Sequence, residues 1–138
     1  MNTNSVNTKS FFRRLAALLL IGIMTVSLVS CSSPDYIGKW TLSTMNDIPI
    51  AEYANQFELA SDYFKIDLDV TEEQVTVTSS QKSSTLKIET KSNGFETIQN
   101  GEVAFSVLYD ATKDTLSYTV DMGAETGKIS YCYVRVAK

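Results

Sequence analysis

The chain contains no histidine. That removes the commonest general base, every Ser-His-Asp or Cys-His arrangement, and the usual zinc and copper ligands. No glycine-rich phosphate loop is present, and the two cysteines, Cys31 and Cys132, make no metal-spaced cluster. Asp110 to Asp114 lacks the ligand density of a calcium loop. Asp67 and Asp69 share one strand face, as a general acid/base pair would, but their apolar neighbours alternate on the other face, which turns both carboxylates to solvent. These absences predict a non-catalytic protein with no catalytic residues, no cofactor and no metal.

Basic residues are also scarce where a partner would need them. Three of the 12 lie before position 31 and none of the 16 acidic residues does, so the remainder carries nine against 16, about −7. Nucleic acid and anionic membrane surfaces both require clustered Lys and Arg, so neither is expected as a partner. The acidity serves solubility, with a cationic partner as the alternative.

What is present begins with a leader. A basic stretch ending at Arg13-Arg14 precedes an uncharged run from Leu15 to Val29. That run has the length of a signal-peptide core and is shorter than the roughly 20 residues that span a bilayer. Leu28-Val29-Ser30-Cys31 then resembles a bacterial lipobox, with an aliphatic residue, a small residue and a cysteine in the required positions. The resemblance implies acylation of the Cys31 sulfur, by palmitate-type chains, and cleavage of the Ser30–Cys31 bond by the lipoprotein signal peptidase. The alternative is an uncleaved membrane anchor that ends in cysteine by coincidence. The expected organisation is a signal peptide over 1–30, lipidated Cys31 with a linker to residue 35, and one domain over 36–138. The expected location is the bacterial cell envelope: the outer face of the cytoplasmic membrane, or the outer membrane of a Gram-negative host. With Cys31 acylated, Cys132 has no intrachain partner and reads as an inert, buried small hydrophobe.

After Trp40 the hydrophobic period is two, in short runs separated by turn residues. Asn93-Gly94 and Asn100-Gly101 supply the strongest hairpin signal, since both residues tolerate positive φ. The pattern predicts an all-β, antiparallel meander of about eight strands closed into a small barrel. One segment breaks it: Tyr53, Ala54, Phe57 and Ala60 fall at helical spacing after Pro49, with Asp47 as candidate cap. A short helix after the first strand would cross one barrel end, as packing or as a mobile lid.

The opening Tyr36-Ile37-Gly38-Lys39-Trp40 resembles the Gly-x-Trp signature of the first lipocalin strand. Lipobox, Gly-x-Trp, helical insertion and hairpins together are similar to the layout of small bacterial lipocalin-like lipoproteins. The resemblance implies structural roles for Gly38 and Trp40, with Trp40 across the barrel floor. It departs from secreted lipocalins in having no second motif and no C-terminal helix.

The expected lining is Phe64, Ile66, Leu68, Val75, Val77, Leu86, Ile88, Val103, Phe105, Val107, Leu116, Tyr118 and Val120. Such a set could hold a lipid-like molecule or close on itself as a core; the filled core is the expectation, with any ligand site at the open rim beneath residues 50–60 and Tyr53, Phe57, Phe64, Phe105 and Tyr118 as candidate lining. Two functions compete for a monomer of this kind. One is a binding module for a small apolar or amphipathic ligand. The other is a protein-interaction module, such as an envelope-stress, immunity or enzyme-inhibitor lipoprotein; lysozyme-inhibiting barrel lipoproteins are an example that an acidic surface would suit.

Overall fold

The computed structural model describes residues 33–137, within one compact unit that begins at Ser33. The expected signal peptide and acylated cysteine, Ser30 and Cys31 included, lie outside the described residues. The alternating runs form β1 (Gly38–Met45), β3 (Ile66–Val70), β4 (Gln74–Ser79), β5 (Ser83–Lys91), β6 (Gly94–Gln99), β7 (Glu102–Asp110), β8 (Thr115–Asp121) and β9 (Lys128–Arg135). Each pairs antiparallel with the next, and β1 pairs with both β3 and β9, so eight strands close into a barrel. A further two-residue strand, β2 (Ile48–Pro49), hairpins onto the end of β1. The all-β barrel is the predicted class, with this one extra strand.

The helix α1 (Ile50–Gln56) follows, and it is shorter than the spacing suggested. Pro49, not Asp47, occupies its N-cap position, because Asn46 and Asp47 are spent on the β1–β2 turn at φ of 51° and 64°. Glu58, at φ 55°, breaks the helix before Ala60. A 3₁₀ turn over Ser61–Phe64 then leads into β3, so Phe64 stands before the strand and not on the barrel wall.

The two Asn-Gly pairs behave differently. Asn100-Gly101 is the corner of the β6–β7 hairpin, with φ of 54° and 82°, as its chemistry demands. At the β5–β6 hairpin the corner is Ser92-Asn93, and Gly94 is already the first residue of β6, opposite Lys91. Its φ is 140°, and a Cβ there would lie 2.1 Å from the Val107 carbonyl oxygen. Glycine is needed at that position for close approach of β7, not for the turn.

Two bulges decide which side chains face inward. One, on β1 between Leu42 and Thr44, keeps both Leu42 and Met45 in the core. The other shifts the β6–β7 register so that Thr97 faces Phe105 but Ile98 faces Val103. Val103 therefore leaves the expected lining: paired residues share a face, and it joins Ile98 on the outer wall, 53% exposed. Most other outward positions are polar, with cross-strand hydroxyl pairs such as Thr76–Thr85 and Thr119–Ser130, although Leu108 and Val134 are exposed as well. Asp67 and Asp69 lie on this outer wall, where Thr41 donates to Asp67 at 2.7 Å. Cys132 sits there too, half-buried, opposite Ser117 and Thr44.

Candidate binding site

One end of the barrel is solid. Trp40 and Tyr36 are buried at it, and the Trp40 indole N–H donates to the Tyr36 carbonyl at 3.0 Å. Tyr36 packs on Phe95 and Tyr109, and Trp40 meets Tyr109 edge-on. Arg135, from the last strand, lays its guanidinium 4.2 Å over the Trp40 ring. The same group donates twice to the Asp114 carboxylate, at 2.8 and 2.9 Å, and to the carbonyls of Ile37 and Asp35. Gly38 makes room for it, since a Cβ there would lie 2.9 Å from Arg135 Nη1. Tyr109 also donates to Asp114. The bonds from Arg135 hold the Asp114 carboxyl below the usual carboxylate range, and those to Asp114 raise the guanidinium. Cation, indole and N-terminal strap thus form one unit, in which four of the five N–H donors of Arg135 are committed.

The other end is looser. Between β7 and β8 only three residue pairs form, Leu108 to Asp110 against Thr115 to Ser117, all toward the solid end. Beyond them the strands part, and the rings of Phe105 and Tyr118, 5.3 Å apart, fill the seam. β1 and β3 likewise pair only over Gly38–Thr41. At the same end the aromatic side chains Tyr53, Phe57 and Phe64 cluster between α1 and the 3₁₀ turn, with Tyr53 against Phe57 and edge-on to Phe64.

Between the two ends a cavity of about 220 Å³, partly open to solvent, lies among the inward side chains, so, contrary to expectation, the barrel is not filled throughout. Leu68, Val75, Val77 and Leu86 line it from β3 to β5, and Phe95, Thr97, Phe105, Val107 and Tyr118 from β6 to β8. Phe105 is 37% exposed, so the cavity meets the surface beside it. Tyr118 and Tyr133 place their hydroxyl oxygens 3.3 Å apart, and burial pushes both phenols up, so the pair stays neutral. Thr97 accepts from the Phe105 N–H at 3.0 Å and donates its O–H to the Phe105 carbonyl.

Of the expected lining, Phe105 and Tyr118 do wall the cavity, whereas Tyr53, Phe57 and Phe64 cluster over it without entering its lining. Phe95 and Thr97 were missed in the sequence, because a polar threonine facing in and an apolar Ile98 facing out hide the alternation of β6. Arg135 and Asp114 carried no sequence signal, since 21 residues separate them. A larger groove of about 520 Å³ runs along the outer wall past Lys39, Lys65, Asp67 and Asp69. Its charges are of both signs, and Asp67 is already bound by Thr41 and Lys65. Among the described residues no group of three metal-ligating side chains occurs, and no helix is long and apolar enough to cross a membrane. No protein-family model, curated protein or solved structure matches the chain.

Proposed function

We propose that the protein is an envelope lipoprotein, acylated on Cys31 after removal of residues 1–30, whose non-catalytic, lipocalin-like barrel holds a small apolar molecule. The observation that carries the binding reading is the cavity, lined by seven apolar side chains with Thr97 and Tyr118 and reaching the surface at Phe105. Concave, mostly apolar pockets with a few placed polar groups are the usual form of small-molecule sites. Anchoring rests on the lipobox and its flanks. Ser33 and Asp35 are tied to the solid end, to Glu72 and Arg135, and only Ser32 separates Ser33 from Cys31. Acyl chains on Cys31 would therefore hold the solid end near the bilayer and leave the cavity side facing away.

The competing reading, docking of a protein partner, draws on Phe57, Leu59 and Tyr63, which are exposed beside α1. It gives no role to the cavity, and is the weaker for that. The test is intact mass spectrometry of the protein extracted from membranes of a bacterial host. A processed chain beginning at acylated Cys31, carrying a non-covalent small molecule under native conditions, is expected. An unacylated, full-length chain would overturn the anchoring, and a chain that neither carries nor takes up an apolar molecule would overturn the container.

A further inference from the structure

We infer that the cavity selects an uncharged, ring-containing molecule with one hydrogen-bond acceptor, and rejects anionic chains of similar size; this rests on the container reading. Size sets the first limit. A cavity of 150 Å³ holds benzene, so about 220 Å³ encloses about nine or ten heavy atoms.

Shape sets the second. The walls differ: β3 to β5 contribute only aliphatic side chains, while Phe95, Phe105 and Tyr118 lie on β6 to β8, across the barrel. A flat ring between branched aliphatics and aromatic rings gains offset or edge contacts that a flexible chain lacks, and it loses less rotational freedom.

Charge sets the third. None of the nine lining residues is charged, and burying a carboxylate without a partner is costly enough to exclude it. Arg135 cannot serve, since it is outside the lining and is held at the solid end by Asp114, Ile37 and Asp35. The polar handle is Tyr118, the member of the Tyr118–Tyr133 pair that lines the cavity: with Tyr133 donating to it, its own O–H is left to donate. Thr97 offers no donor, because its O–H is spent on the Phe105 carbonyl. A ligand carbonyl, ether or hydroxyl oxygen meets that free donor.

The test uses four probes of matched size, acetophenone, benzoate, 1-octanol and octanoate, with the full chain in lipid nanodiscs. Methyl NMR of Val75, Val77, Leu86 and Val107 reports binding inside the barrel and is blind to partition into lipid. Acetophenone is expected to shift these methyls saturably in the sub-millimolar range, with the other three at least tenfold weaker. Tyr118→Phe, which removes the Tyr118 hydroxyl from the pair and keeps the ring, is expected to weaken acetophenone several-fold with the spectrum otherwise native. Benzoate or octanoate binding as tightly as acetophenone would overturn the neutral-ligand inference and leave the container intact. An equal response to 1-octanol would overturn the preference for a ring, and unchanged acetophenone affinity in Tyr118→Phe the acceptor. If no probe moves the cavity methyls, both this inference and the container reading fall.

Discussion

The two ends of this barrel are built from the same alternating strands and come out differently. At the solid end the ladders are continuous, and a guanidinium is fixed between an indole, a carboxylate and two carbonyls. At the other end the β7–β8 ladder lapses, and rings take the place of hydrogen bonds across the seam. Rigidity is concentrated where the chain enters, and the cavity reaches the surface where the strands part. Regions with few shared backbone bonds are those that open at low cost.

Substitutions should reproduce that contrast, measured as thermal or denaturant stability of residues 31–138. Trp40→Ala is expected to cost about 3–5 kcal/mol, the range for a buried aromatic, and to expose a weakened floor to solvent. Gly94→Ala comes next, at about 3 kcal/mol, because the added Cβ meets the Val107 backbone and the φ of 140° resists any L side chain. Arg135→Ala is expected to cost about 2 kcal/mol, less than a fully buried pair because Asp114 is partly solvated.

Asp114→Asn adds a pH signature to the floor. The folded-state pKa of Asp114 is lowered, chiefly by the hydrogen bonds from Arg135. Its contribution is therefore complete above about pH 4, the unfolded value, and is lost as pH falls through the lower folded value. Melting curves from neutral to acid pH should show the gap between wild type and Asp114→Asn closing only at the acid end. At the loose end Phe57→Ala should change stability by less than about 0.5 kcal/mol, since the side chain is 55% exposed. A loss there as large as that of Trp40→Ala would erase the difference between the two ends.

Much of this was legible in the sequence. Period-two runs and the Asn100-Gly101 corner specify an antiparallel meander, and a helix at Tyr53 and Ala54 follows from their spacing. What was hidden depends on register and on distance along the chain. The bulge at Ala104 turns Val103 outward, and nothing in an alternating string marks where one extra residue is inserted. Gly94 looked like a turn residue because its neighbour is Asn; its real constraint is a carbonyl 13 positions away. The Arg135 cluster joins residues 35, 37, 40, 114 and 135, which no local pattern links. Whether apolar side chains fill a barrel or leave a void depends on where strands part, and that was legible only in the ladder lengths.

Xenon distinguishes a hollow upper half from a solid one. It enters dry apolar cavities of this size without needing any specific contact. Methyl NMR of the chain under xenon pressure should show saturable shifts at Val75, Val77, Leu86 and Val107, and none at Leu116 or the Trp40 indole. No response at the four cavity methyls, or an equal response at the floor, would contradict a barrel that is solid at one end and receptive at the other.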